Sequence, residues 1–146
     1  MVKYPQAGRV KTRLAAGLGM TGAAKWFRHQ TRYLLRNLAN DPRWTVTLAI
    51  SPDRYARSTA FWPDSNIRFT AQGNGDLGQR MARLFRQSDG GKMVLIGADI
   101  PGIRRQHIAR AFAELGRNDA VFGPSRDGGF WLVGLKRCSQ PVPAGL

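Results

Sequence analysis

Val94-Leu-Ile-Gly-Ala-Asp99-Ile-Pro101-Gly102 is an apolar segment that runs directly into an aspartate and a turn-forming Pro-Gly pair. We interpret the apolar part as a central strand with Asp99 at its carboxyl end. In an open α/β sheet this edge is where ligands bind, and a carboxylate there is well placed to hold a metal ion or a sugar hydroxyl. The alternative is that Asp99 only caps the turn or helix that follows, because aspartate is common at both positions.

A second segment has the same plan, Ala120-Val-Phe-Gly-Pro124-Ser-Arg-Asp127-Gly128-Gly129-Phe130. A short strand ends at Gly-Pro, a loop carries Asp127, and a further strand leaves from the glycine pair. Glycines beside an acidic residue allow a ligand to approach the backbone closely. A plain hairpin loop is the alternative, because Asp-Gly is a strong hairpin signal.

A third segment lies at the start of the chain, Lys3-Tyr-Pro5-Gln-Ala-Gly8-Arg-Val-Lys11-Thr-Arg13-Leu14. Cationic side chains beside loop amides form a cradle for a diphosphate, and arginine can bind two oxygens at once. The segment is not a Walker A loop, because it lacks the Gly-Lys-Ser/Thr ending. A solvated basic loop is the alternative interpretation.

A fourth segment places glycines and an aspartate before an amphipathic run, Gln72-Gly-Asn-Gly75-Asp76-Leu77-Gly78-Gln-Arg80-Met81. Leu77, Met81 and Leu84 recur at helical spacing, which predicts a helix with these residues in the core. Asp76 is expected to be the N-cap of that helix. A capped helix after a glycine-rich loop often forms one wall of a nucleotide site, so structural and binding roles are compatible.

The four segments, taken in their order along the chain, resemble a bacterial family of glycosyltransferases with the GT-A, or nucleotide-diphospho-sugar transferase, fold. The family includes arsenosugar-biosynthesis-type glycosyltransferases. The resemblance implies a three-layer α/β/α fold with a mostly parallel sheet, and the alternation of helical and strand patterns agrees with it. One departure is Ile100, where members of the family usually carry a small polar residue.

The resemblance also implies site residues and a divalent cation, Mg²⁺ or Mn²⁺. Asp99 would bind the metal, and Asp127 would orient or deprotonate the acceptor. The residues expected at the nucleotide and its phosphates are Gly8, Lys11, Arg13, Gly75, Asp76 and Gly78. Those expected on the sugar or acceptor side are Pro101, Gly128 and Gly129.

The implied reaction is the transfer of a sugar from a nucleotide-diphospho-sugar to an unidentified acceptor. The metal, Lys11 and Arg13 would neutralise the departing diphosphate. A nucleotidyltransferase on the same fold would use nearly the same features and would release pyrophosphate in place of a nucleoside diphosphate. A nucleotide-binding protein without catalytic activity is a further alternative.

Length and composition favour one domain over residues 1–146, since 146 residues with 42% hydrophobic content suit one core. Against the family pattern, the chain is expected to lack the first part of the N-terminal strand and a C-terminal segment. A homo-oligomer in which a partner chain supplies that strand stays open. The single cysteine, Cys138, excludes an internal disulfide. Apolar runs fall short of the ~20 residues that span a bilayer, so a cytoplasmic location is the simplest assignment.

The formal net charge of +14 raises nucleic-acid binding as an alternative. However, the cationic residues are spread along the chain with apolar residues at helical intervals between them, which is typical of solvated helix faces. A single-strand binder would also need its aromatic residues gathered in one groove. Nucleic-acid binding is therefore the less favoured interpretation.

The remaining patterns predict the order of the elements. A first helix is expected to be capped by Thr21 and to run to about Asn40, with Trp26, Tyr33, Leu34 and Leu38 toward the core. Further helices are expected at residues 77–87 and 105–115. Strands are expected at residues 44–50, 67–70, 93–97, 120–122 and 130–135.

Overall fold

The computed structural model describes residues 1–62, 66–88 and 90–136. Contacts between Cα atoms divide the chain into two compact units. The first unit is Met1–Ala71 with Ala98–Arg104, and the second is Gln72–Gly97 with the chain from Arg105 onward. One domain over residues 1–146 therefore stays a prediction. Cys138 lies outside the described residues.

A parallel sheet of three strands forms the centre of the first unit, in the order β1-β2-β3. The strands are β1 (Val2–Lys3), β2 (Val46–Ser51) and β3 (Ile67–Ala71), and Val46 pairs with Ile67 in a continuous register. Strand β2 begins two residues later than expected, because its ladder with β3 begins where Val46 pairs with Ile67, the first residue of β3. The Trp44 indole Nε1 donates a hydrogen bond to the Leu38 carbonyl at 3.0 Å. This bond ties Trp44 to the preceding helix.

The long helix α1 (Thr12–Ala39) precedes β2 and begins earlier than predicted. Gly19 interrupts it with φ 70° and ψ 163°, which are not helical angles. Glycine adopts this backbone readily because it has no Cβ. The prediction that Thr21 caps the helix is therefore wrong: the break lies at Gly19, and Thr21 falls inside the helical segment that follows it.

The buried stripe of α1 also differs from the prediction at two positions. Leu34 and Leu38 are buried as expected, whereas Trp26 is 37% exposed and Tyr33 is 60% exposed. Seven residues of α1 are buried, and they recur mainly at spacings of three and four: Ala23, Ala24, Phe27, Thr31, Leu34, Leu35 and Leu38. Trp26 and Tyr33 are seven residues apart, so they share a neighbouring stripe that faces solvent.

The second unit contains an antiparallel sheet of three strands in the order β4-β6-β5. Its strands are β4 (Met93–Ile96), β5 (Ala120–Pro124) and β6 (Phe130–Leu135), and its helices are α2 (Leu77–Arg86) and α3 (Arg105–Glu114). The α/β class is confirmed, and the first sheet is parallel as predicted. The second sheet is antiparallel, because β6 pairs in that sense with both β4 and β5. The short loop that joins β5 to β6 requires those two strands to be antiparallel. The three-layer GT-A arrangement stays a prediction.

Helix α2 matches its predicted range but buries a slightly different set of residues. Met81 and Leu84 are buried as predicted, and Phe85 is 1% exposed. Leu77, predicted to be in the core, is 62% exposed. It is the first residue of α2 and leaves the Gly75-Asp76 loop, so its side chain projects from the end of the helix and not from its buried stripe.

Candidate functional site

Lys11 and Asp99 form an ion pair in the first unit. The Lys11 Nζ atom donates a hydrogen bond to Asp99 Oδ2 at 2.8 Å, although 88 residues separate them. The Lys11 side chain is 30% exposed and the Asp99 side chain is 45% exposed. Helix α3 begins only at Arg105, so Asp99 is not its N-cap. A helix cap by Asp99 is therefore excluded, whereas a cap of the turn at Pro101 and Gly102 stays a prediction.

The backbone of Lys11 is left-handed, with φ 50° and ψ 45°. Among the described residues it is the only one other than glycine with a positive φ. A side chain in this region costs about 1–2 kcal/mol, and such residues often occur at functional sites. The conformation places Lys11 at the N-cap position of α1, where the Leu14 and Ala15 amides donate to its carbonyl. The pair with Asp99 therefore sits on a strained loop-to-helix junction.

The start of β1 lies beside the segment that carries Asp99. The Ala98 amide donates to the Met1 carbonyl at 3.1 Å. Burial of the Met1 α-amino group lowers its pKa to about 6, and the charge of Asp99 acts in the opposite direction. Lys11 is the cation that contacts the Asp99 carboxylate directly.

The other predicted residues of the first unit flank this pair along the chain. Gly8 occupies a turn with φ 75°, three residues before Lys11. Arg13 is the second residue of α1 and is exposed. Pro101 lies in the exposed turn that follows Asp99. In this unit, the structure brings two of the predicted site residues, Lys11 and Asp99, into direct contact with each other.

The donor set at Asp99 decides which kind of metal site the residues fit. Within the described parts of the chain, His, Cys, Asp and Glu side chains form no group of three that could hold a metal ion. Mg²⁺ is commonly bound through one or two carboxylates together with substrate phosphates and water. The partly exposed carboxylate of Asp99 fits a cation shared with a phosphate ligand, and it does not fit a cation held by protein side chains alone.

Asp76 caps α2 in the second unit, as predicted. Its Oδ1 atom accepts a hydrogen bond from the Gln79 amide at 2.8 Å. The Gln79 Oε1 atom accepts one from the Asp76 amide at 3.1 Å, which completes a capping box. Gly75 precedes the cap with φ 109°, and Gly78 is the second residue of α2. The three predicted nucleotide-binding residues of this unit thus surround one helix N-terminus.

Two arginines of α2 hold the loop before the cap, a role that the sequence analysis missed. Arg80 Nε donates to the Gly75 carbonyl at 2.8 Å, and Arg83 Nη1 donates to the Gln72 carbonyl at 2.9 Å. Both bonds turn loop carbonyls toward the helix. The signal in the sequence is two arginines three residues apart within the first two turns after a glycine-rich loop.

Asp127 lies in the hairpin loop between β5 and β6. Its Oδ1 atom accepts a hydrogen bond from the Gly129 amide at 3.2 Å. The Ser125 amide donates to the Gly129 carbonyl at 2.8 Å, and the Gly128 amide donates to the Ser125 carbonyl at 3.2 Å. The hairpin interpretation is therefore correct for the backbone. Asp127, Gly128 and Gly129 are all exposed, and their binding roles stay predictions.

Comparison with known proteins places this geometry in a family. Among solved structures, the chain is similar to a putative nucleotide-diphospho-sugar transferase from Desulfovibrio desulfuricans G20, with 32% sequence identity and a TM-score of 0.83. The similarity covers 95% of this chain and 62% of that protein, so the chain spans less than two thirds of its length. No curated protein matches the chain. Residues 34–144 match the family model DUF2064, whose description is an uncharacterized protein conserved in bacteria, and the chain belongs to this family.

Proposed function

We propose that this chain is a metal-assisted glycosyltransferase that transfers a sugar from a nucleotide-diphospho-sugar to an acceptor. The observation that carries the proposal is the contact of Lys11 Nζ with Asp99 Oδ2 at 2.8 Å. It joins a basic loop to a carboxylate in the turn after a strand. Similarity to the nucleotide-diphospho-sugar transferase supports the same class of donor.

Transfer of a sugar from a nucleotide-diphospho-sugar requires positive charge near the diphosphate leaving group. When the bond between the sugar and the diphosphate breaks, the departing nucleoside diphosphate takes the electron pair and gains negative charge. Lys11 and Arg13 would stabilise that charge, because fixed cations are most effective where charge develops. A divalent cation bound by Asp99 and by diphosphate oxygens would supply further stabilisation of the same kind.

Lys11 has two possible partners in this scheme. Without a ligand its ammonium group neutralises Asp99. A bound diphosphate presents a second anion to the same ammonium group. If Lys11 moves to the diphosphate, the Asp99 carboxylate is left to a cation. The pair would therefore make the binding of the diphosphate and the binding of the metal depend on each other.

For the second unit we propose two separate roles, both derived from the family resemblance. The loop with Gly75, Asp76 and Gly78 would contact the nucleotide, and the loop-holding bonds from Arg80 and Arg83 support a fixed loop shape. Asp127 would orient or deprotonate the acceptor hydroxyl. Gly128 and Gly129 would contact the sugar or the acceptor. For Pro101 of the first unit, the same kind of contact stays a prediction from the family resemblance.

A thermal-shift screen tests the donor class. The protein would be heated with nucleoside diphosphates and nucleotide-sugars, each with and without Mn²⁺ and Mg²⁺. A ligand at about 100 times its dissociation constant adds about 2.7 kcal/mol to the free energy of unfolding. We expect a stabilisation that requires both a nucleotide-sugar and the cation. Absence of any shift with the whole nucleotide panel would reject the proposal.

Matched variants locate the effect. Asp99→Asn should abolish the part of the shift that depends on the cation, and Lys11→Met should weaken nucleoside diphosphate binding. Lys92→Met is the control, since Lys92 is an exposed lysine of the second unit. An equal loss in Lys11→Met and Lys92→Met would indicate a nonspecific charge effect.

The released product identifies the reaction. Once a donor is known, turnover by a glycosyltransferase releases a nucleoside diphosphate. A nucleotidyltransferase on the same fold releases pyrophosphate from a nucleoside triphosphate. Detection of pyrophosphate, with no nucleoside diphosphate formed, would replace the proposed reaction with the second one.

A further inference from the structure

Positive charge is least balanced by acidic residues at the beginning of this chain. The sequence has 23 Lys and Arg residues and 9 Asp and Glu residues, and no acidic residue occurs before Asp41. Helix α1 therefore carries only basic charges along its 28 residues. Its solvent-facing side has no carboxylate of its own helix to offset them.

One face of α1 combines these charges with exposed aromatic rings. Four residues recur at spacings of three and four and form a stripe opposite the buried one: Lys25, His29, Arg32 and Arg36. Trp26 and Tyr33, which are 37% and 60% exposed, lie along the edge of this stripe. We call these six residues the basic-aromatic face.

The chemistry of this face fits an anionic lipid surface. Lysine and arginine near such a surface are attracted to its negative potential, and tryptophan and tyrosine favour the headgroup level, where one end of the ring is apolar and the other wet. Within residues 1–62, 66–88 and 90–136, no helix combines the length and apolar character needed to cross a bilayer. Contact with a bilayer through α1 would accordingly be peripheral.

Nucleic acid is the other large anion that a basic surface attracts. Single-stranded nucleic acid is bound by aromatic side chains that stack on bases along a groove. Trp26 and Tyr33 instead lie on the outward side of one helix, beside the basic stripe. This geometry favours a flat anionic surface over a strand of bases.

We infer that the basic-aromatic face of α1 docks the protein on an anionic bilayer surface. Lys11 and Asp99 are not part of this face, so the inference goes beyond the proposed transferase function and does not depend on it. Binding to a bilayer can be measured without nucleotide. Lipid binding and donor binding can therefore fail or succeed independently.

The test is sedimentation of the full chain with vesicles at low ionic strength. One set of vesicles contains phosphatidylglycerol and phosphatidylcholine in equal amounts, and the other contains phosphatidylcholine alone. We expect binding to the first set only. Lys25→Glu with Arg36→Glu should weaken it by about tenfold or more, because each basic residue near the surface contributes a several-fold share. Lys25→Gln with Arg36→Gln gives the same test with a milder change of charge.

The matched control reverses two charges elsewhere. Arg110 and Arg117 are exposed residues of the second unit, and Arg110→Glu with Arg117→Glu changes the net charge by the same amount. Binding of this control should stay within about twofold of the unmodified protein. Contact through the aromatic edge should also shift the fluorescence of Trp26 to shorter wavelength, and the shift should vanish in Trp26→Phe.

Three results would overturn the inference. One is the absence of vesicle binding by the unmodified protein. Another is an equal loss of binding in the two charge-reversed pairs, which would show attraction by net charge alone. The third is binding of a short single-stranded RNA through Trp26 while the vesicles stay unbound. Circular dichroism melting curves establish that each variant is folded.

Discussion

The Lys11 Nζ atom lies 2.8 Å from Asp99 Oδ2, and both side chains are partly exposed. Exposed ion pairs contribute only about 0.2–1 kcal/mol to stability, so this contact alone does little to hold the fold. The left-handed backbone of Lys11 opposes folding by a similar or larger amount. The pair is therefore of little use for stability, which is consistent with the ligand-binding role that we propose for it.

Removal of Lys11 should uncouple the cation from the diphosphate. Without nucleotide, Lys11→Met should bind Mn²⁺ about two- to fivefold more tightly, because no ammonium group competes for Asp99 and the pair is weak. With a nucleoside diphosphate present, the unmodified protein should bind Mn²⁺ more tightly than without it, and by linkage the reverse should hold. Lys11→Met should lose most of this mutual effect.

Electron paramagnetic resonance separates free from bound Mn²⁺ and so measures the Mn²⁺ affinity of the unmodified protein and of Lys11→Met, each with and without a nucleoside diphosphate. Lys92→Met serves again as the charge-matched control. If Mn²⁺ and the nucleotide bind the unmodified protein independently of each other, the proposal that Lys11 exchanges Asp99 for the diphosphate is wrong. The proposal of a nucleotide site is not affected by that result. If neither ligand binds, the transferase proposal itself is wrong.

Gly8 should be intolerant of a side chain. Its φ of 75° is in the left-handed region, and an added Cβ would lie 3.3 Å from Met20 Sδ. Gly8→Ala should therefore lower the free energy of unfolding by about 1–2 kcal/mol. Gly17→Ala is the matched control, because Gly17 lies within α1 and a Cβ there has no neighbour within 4 Å.

The control should shift stability the opposite way. Alanine in a helix interior is favoured over glycine by about 1 kcal/mol, so Gly17→Ala should raise the midpoint of urea unfolding while Gly8→Ala lowers it. Similar midpoints for the two variants would mean that the turn at Gly8 adapts to a side chain.

Local signals were sufficient for part of the structure. Asp76 was predicted as an N-cap from its neighbours alone, and the structure has the capping box with Gln79. The ranges of the strands at 67–71 and 130–135 also follow from local patterns and turn residues. Each of these features depends on residues close in sequence, which is why a pattern can identify them.

Tertiary features were less accessible. Lys11 and Asp99 were each selected as site residues, but their contact spans 88 residues and depends on how the chain returns to the start of β1. The exposure of Trp26 and Tyr33 likewise depends on which stripe of α1 meets the sheet. Periodicity identifies an apolar stripe, but neighbouring stripes of a helix with several aromatic residues give nearly the same pattern.

The cap on α2 allows the structural and binding roles of Asp76 to be separated. Asp76→Ala removes the acceptor for the Gln79 amide and should cost about 1 kcal/mol in the free energy of unfolding. Asp76→Asn keeps a side-chain acceptor, and asparagine is as good an N-cap as aspartate, so its stability should stay close to that of the unmodified protein.

Asp127→Ala removes one exposed hydrogen bond in a hairpin. It should lower the free energy of unfolding by less than Asp76→Ala does.

The Asp76→Asn variant then reports on charge alone. A negative charge at the loop repels a diphosphate, whereas the capping oxygen keeps the loop amides in place. If the loop contacts the nucleotide through its amides, Asp76→Asn should bind a nucleoside diphosphate as well as or better than the unmodified protein, and Asp76→Ala should bind it less well. Isothermal titration with each variant measures this. Equal affinity in all three proteins would place the nucleotide away from this loop and restrict Asp76 to its role as a helix cap.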